Sequence, residues 1–90
     1  MSVKEIIDQM FNEAREQANH KFDRHCSGYS HRHFTDGKHK HHLRMQYRRV
    51  DRNWEDADVK FGTFLFINNA PAKRKDVEKF FEGMETYNGV

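Results

Sequence analysis

His31-Arg32-His33-Phe34-Thr35-Asp36-Gly37-Lys38-His39-Lys40-His41-His42-Leu43-Arg44-Met45-Gln46-Tyr47-Arg48 is the stretch whose reading decides the fold of this chain. Asp-Gly is a favoured pair for a type I′ turn, whose two central residues both need positive φ. The chain is therefore expected to double back at Asp36-Gly37 through a two-residue loop. That register sets Thr35 opposite Lys38, His33 opposite Lys40 and His31 opposite His42. Beyond the histidines, Leu43, Met45 and Tyr47 alternate with Arg44, Gln46 and Arg48. This is the period-two pattern of a strand with one apolar face and one solvated, cationic face.

On the N-terminal side, Val3, Ile6, Ile7, Met10, Phe11, Ala14 and Ala18 recur at three- and four-residue steps. The spacing predicts an amphipathic helix over about residues 3–22, with Ser2 and Glu5 as its capping box and Gly28 as a later break. On the C-terminal side, residues 51–58 form an acidic connection that carries Trp54, expected to fold back as an anchor on the core. A third strand is expected over Val59 to Ile67, apolar enough to be central. Asn68-Asn69-Ala70-Pro71 is expected to break the sheet, with Pro71 opening a closing helix whose buried stripe is Val77, Phe80, Phe81 and Met84. The sum is a single α+β domain over residues 1–90, of order α-β-β-β-α, with a three-stranded antiparallel sheet and both helices on one face.

Bulk composition is compatible with that domain. Ninety residues are 36% hydrophobic, but eight Phe, three Tyr and one Trp concentrate the apolar area in large side chains. A core is feasible despite a mean hydropathy of −1.10. Charged residues are 33% with both signs present, unlike a disordered polyelectrolyte. The single cysteine, Cys26, has no internal disulfide partner and suits a reducing compartment. The absence of a long apolar run and of a basic-then-apolar opening leads us to expect a cytoplasmic protein that does not enter a membrane.

Charge is distributed by region. Residues 1–19 set Lys4 and Arg15 against Glu5, Asp8, Glu13 and Glu16, whereas residues 20–50 set eight Lys or Arg against Asp23 and Asp36. All seven histidines fall in that second block. Clustered cations are the electrostatic footprint of phosphate-rich partners, and also a way of keeping exposed strands soluble. Lys73-Arg74-Lys75 adds a second cluster where the last helix should begin. Cations there oppose the helix dipole, which makes sense if they meet phosphate beside free N–H groups. The expected nucleic-acid contacts are accordingly Arg32, Lys38, Lys40, His41, Arg44 and Arg48 on the hairpin, with Lys73, Arg74 and Lys75 on the helix. No cofactor and no metal are expected. If an ion did bind, His31, His33 and His42 would be its ligands, since the expected register puts them on one face.

The layout of hairpin and basic helix start is similar to that of the double-stranded-RNA-binding domain. That resemblance implies contacts from the polar face of residues 4–21, the tip Asp36 to His41, and Lys73 to Lys75. The family's Gly-Pro-x-His loop is absent, and its basic helix start is loosely echoed. Gly28-Tyr29-Ser30-His31-Arg32-His33-Phe34 also resembles the Gly-Ser-His-His-x-aromatic segment of the HicA-type mRNA-cleaving toxins. That likeness implies His31 or His33 as general base on a ribose hydroxyl, with Arg32 or Lys40 stabilising the phosphorane.

A nucleic-acid-binding module, RNA or DNA, without enzymatic activity is the leading expectation. A phage-type inhibitor or adaptor that blocks a host protein through an acidic surface is the alternative, with Trp54, Tyr47 or Tyr29 as anchors. A HicA-like ribonuclease is a second alternative, and an exposed strand edge leaves homodimerisation open.

Overall fold

The structure is a computed structural model, which describes residues 2–19, 27–50 and 60–88. It is an α+β arrangement of two helices and a five-stranded antiparallel sheet. In chain order the elements are α1 (Val3–Asn19), β1 (Ser27–Thr35), β2 (Lys40–Arg49), β3 (Phe61–Ile67), β4 (Ala70–Ala72), α2 (Arg74–Phe80) and β5 (Glu85–Tyr87). The strands lie side by side as β4-β3-β2-β1-β5. Trp54 and the acidic connection around it lie outside the described residues, as does Cys26.

At the start of α1, the Ser2 hydroxyl accepts the Glu5 N–H at 3.2 Å and donates to Glu5 Oε1 at 3.1 Å. Its stripe buries Ile6, Ile7, Met10, Ala14 and Ala18. The two alanines have a specific purpose. A Cβ built at Gly28 would run into the Ala14 carbonyl and the Ala18 N–H, so α1 crosses β1 backbone against backbone. Gly28 is thus required by close packing rather than by a chain break.

The central hairpin forms, but its loop is longer than the expected two residues. Thr35 pairs with Lys40 and His33 with His42, which leaves the four residues Asp36–His39 in the turn. Among the turn residues only Gly37 takes positive φ, +97°, so a type I′ turn is not formed. The Asp36 carboxylate instead accepts the Lys38 and His39 N–H groups at 2.8 and 2.7 Å. Thr35 Oγ1 accepts the Gly37 N–H and donates to the His39 carbonyl. The register therefore moves by two residues, an even number, and every strand side chain keeps its face.

A two-residue turn does occur, one hairpin further on. Asn68 and Asn69 have φ of 50° and 72° and connect β3 to β4. Asparagine tolerates this left-handed conformation better than most residues. Pro71 accordingly sits in the edge strand β4, where a missing N–H is tolerated, and not in a helix. The expected three-stranded sheet is thus extended by β4 on one edge and β5 on the other, and α2 starts only at Arg74.

The core lies on one side of the sheet. Phe34, Leu43, Met45 and Leu65 pack there with Ile7 and Met10 of α1 and with Val77 and Phe81 beside and in α2. The Phe34 and Phe81 rings stack at 4.2 Å. No helix of the described residues is long and apolar enough to cross a membrane.

Candidate functional site on the open sheet face

Strand alternation assigns each side chain of the sheet to a face. Phe34, Leu43, Met45 and Leu65 define the helix-covered side, so their chain neighbours project from the opposite, open side. Cross-strand pairing then places Tyr29, His31, His33 and Thr35 of β1 beside Lys40, His42, Arg44, Gln46 and Arg48 of β2. Phe64 and Phe66 of β3 and Glu85 and Tyr87 of β5 complete the surface.

The cations of this face rest on aromatic rings. The Arg44 guanidinium lies 4.2 Å from the Phe66 ring centroid, and that of Arg48 lies 4.4 Å from Phe64. Lys40 Nζ stands 5.4 Å from the ring of Tyr87. Arg44 Nε is buried and has no hydrogen-bond partner. None of Lys40, Arg44 and Arg48 is ion-paired among the described residues, and Glu85 is the sole carboxylate in the open-face positions of the described strands.

Between these cations runs a row of imidazoles. The ring of His42 stacks at 5.0 Å on His31 and at 5.0 Å on His33, and His33 lies 5.7 Å from Tyr87. His31 Nδ1 and His42 Nε2 are 2.8 Å apart, so one donates a hydrogen bond to the other. Burial, then the nearby Arg44 charge, holds His31 below the usual imidazole range. Burial, then His31 and His33, does the same to His42. Both rings are consequently neutral near pH 7 and take up a proton only in more acidic solution. The expected metal candidates do share a face, but their rings stack in parallel and do not converge. Among the described residues no group of three His, Cys, Asp or Glu side chains is disposed to hold a metal ion.

The remaining expected contacts are elsewhere. Arg32 projects toward the helices, where it makes two 2.6 Å hydrogen bonds to both oxygens of Glu13 and one of 2.8 Å to the His31 carbonyl. Glu13 also accepts from the buried Ser30 hydroxyl. The hydrogen bonds from Arg32 hold the Glu13 carboxyl below its ordinary range. Arg32 therefore ties β1 to α1 and is not available to the open face, either as a phosphate contact or as a partner of His31 in phosphorane stabilisation. His41 is on that helix side too, bonded to Asn68 and edge-on to Phe80. Lys38 lies in the turn.

Lys73, Arg74 and Lys75 belong to the helix layer. Arg74 pairs with Asp8 of α1 at 3.2 Å and with Glu78 one turn along α2 at 3.1 Å. Lys73 and Arg74 line an apolar groove of about 800 Å³ between α1 and the β3–β4 hairpin. The two basic clusters thus occupy opposite sides of the sheet, and no single flat surface joins them.

Sequence reasoning missed the aromatic half of the open face. Phe64 and Phe66 alternate with Leu65 and Ile67, a period-two signal that a uniformly apolar segment conceals. Tyr87 gives no signal, because β5 is only three residues long. The chain was compared with protein-family models, curated proteins and solved structures, and none of the three yields a match.

Proposed function

We propose that this protein binds nucleic acid through the open face of its sheet, with Lys40, Arg44 and Arg48 contacting phosphates. The observation that carries this reading is that, among the described residues, none of three cations that lie together on one face is ion-paired. A cation committed to a structural ion pair gains little from a phosphate, whereas these three exchange only water and salt counterions for one. The opposite layer supports the same orientation. On α1 itself the exposed Glu5, Asp8, Glu13 and Glu16 outnumber Lys4 and Arg15, so a polyanion is repelled by that helix and attracted by the sheet side. The same asymmetry disfavours docking of a duplex through α1, as the double-stranded-RNA-binding layout would require. It also disfavours a second copy on this face, which would set cation against cation.

Salt dependence tests the proposal. Binding of an oligonucleotide should weaken linearly on a log–log plot against salt, with a slope of about −0.7 to −0.9 per phosphate neutralised, or roughly −2 to −3 for three contacts. Capture of a single stoichiometric protein that survives nuclease treatment, without salt-sensitive oligonucleotide binding, would replace this reading with that of an inhibitor or adaptor.

A further inference from the structure

We infer that the ligand of the open face is single-stranded, with its bases unstacked from one another and laid against the aromatic and guanidinium surfaces there. The inference rests on the nucleic-acid reading above and names the form of nucleic acid that the face fits.

The spacing of the face is the first support. Side chains of one face recur every second residue along a strand, roughly 6.4–6.8 Å apart. Successive bases in a duplex strand are about 3.4 Å apart. Bases seated on successive same-face side chains are therefore separated too far to stack on each other, as only an unpaired strand allows.

The chemistry of the face is the second. A duplex hides its base faces and offers a protein phosphates and groove edges, for which aromatic rings are of little use. Unpaired bases present flat π faces, which stack on aromatic side chains and on guanidinium planes. This face supplies both kinds of surface. Tyr29 is 38% exposed on β1, held by a 3.1 Å hydrogen bond from Gln46 to its hydroxyl. Tyr87 stands at the β5 edge with Lys40 beside its ring. The guanidinium groups of Arg44 and Arg48 stand over the rings of Phe66 and Phe64, without a carboxylate partner among the described residues. Aromatic groups so close to solvent have no part in the core, which lies on the other side of the sheet.

The shape of the face is the third. It is a continuous antiparallel surface with neither helix on it, so an extended strand can lie along or across it. Insertion into a groove would require a projecting helix or ribbon. The β1–β2 turn does project, but of its cations only Lys38 is a Lys or Arg, and the Asp36 carboxylate is built into the same turn.

The test compares a labelled twelve-nucleotide mixed-sequence strand, as RNA and as DNA, with the duplex formed by adding its complement. Anisotropy is measured at one fixed ionic strength. The 90-residue chain should bind the single strand at least tenfold more tightly than the duplex. Tyr29→Leu and Tyr87→Leu, which keep apolar volume but lose the ring, should each weaken single-strand binding by about fivefold or more, the lower end for one lost base stack. Their salt slopes should stay at the wild-type value. Arg44→Lys preserves charge and loses the planar surface, so it should weaken single-strand binding with the slope likewise unchanged. Circular dichroism and melting of each variant establish that the fold is retained. Equal or tighter binding of the duplex, or ring substitutions without effect in folded protein, overturns the single-strand inference and leaves phosphate binding standing. Absence of binding to either form overturns both.

Discussion

Arg32 and Arg44 are neighbours across the β1–β2 hairpin and have opposite employments, which follow from the parity of their positions. Arg32 faces α1 and is consumed by Glu13; Arg44 faces out and rests on Phe66. Substitution should separate the two. Arg32→Ala should lower stability by about 1 kcal/mol, the upper range for a partly exposed pair, since one guanidinium nitrogen reaches both Glu13 oxygens, and leave oligonucleotide affinity unchanged. Arg44→Ala should leave the melting temperature within a degree or two of wild type and reduce the salt slope by about 0.7–0.9. Paired melting and binding curves check both. The Glu13 carboxyl, held below its usual range by Arg32, adds an acid limb. Because its folded pKa is depressed, its contribution is present above the unfolded carboxylate pKa of about 4.3 and is lost as pH falls below it. Urea unfolding at pH 5 and pH 3 should show this loss in wild type and a smaller one in Glu13→Gln.

Among the elements, the turns carry the most specific expectations. Asn68 bears more than its backbone angle requires: its side-chain oxygen accepts the His42 N–H at 2.9 Å, and its side-chain nitrogen lies 3.0 Å from His41 Nδ1. Asn69 has the positive φ alone. Asn69→Gly should therefore be neutral or slightly stabilising, because glycine meets no steric cost in the left-handed region. Asn68→Ala should cost about 1–3 kcal/mol, from left-handed strain and the lost hydrogen bonds. Equal effects at the two positions would contradict this account. At the α1–β1 crossing, Gly28→Ala inserts a methyl group into the helix backbone and should cost about 3 kcal/mol or prevent folding.

These elements also show where the sequence is legible. The α1 stripe, the hairpin reversal and the alternation from Leu43 to Arg48 all follow from periodicity, since burial of one face leaves a regular trace over many residues. Loop length leaves none: whether Asp36-Gly37 closes a two- or four-residue loop depends on what the Asp36 carboxylate bonds to, and this is decided locally by N–H groups at Lys38 and His39. Short edge strands are illegible for a related reason. Three residues cannot display a period, and Pro71 reads equally well as a helix start. The cations of the site can be found from composition, but their division between two faces needs the register, and Arg32 and His41 are lost to the interface on that ground alone.

At the scale of the whole molecule, the sheet separates a helical layer of paired carboxylates and cations from a face of cations, imidazoles and aromatic rings. Protonation of this face should work against the free fold. His31 and His42 have folded pKa values below the unfolded value of about 6.5, so the neutral rings favour the native state above that pH. Stability should then fall as the solution is acidified below about 6.5, where the unfolded chain binds protons that the native rings resist. Arg44, His33 and Lys40 on the same face add to the positive charge the rings would have to join. Nucleic-acid affinity should move in the opposite direction, rising over the same interval. Melting curves from pH 7.5 to 5, with and without oligonucleotide, should show a steeper acid loss for the free protein. A free protein as stable at pH 5.5 as at 7.5 would show that the imidazole row carries no such linkage.

The most direct measurement sets the two basic clusters against each other in one binding experiment. Affinity for a short oligonucleotide is measured across a salt series for wild type, for Lys40→Ala/Arg44→Ala/Arg48→Ala, and for Lys73→Ala/Lys75→Ala. The open-face triple should lose most of the affinity and flatten the salt slope toward zero, while the helix-layer double should stay within about twofold of wild type. Loss of binding in the Lys73/Lys75 variant, with the open-face triple unaffected, would contradict the assignment of function to this face.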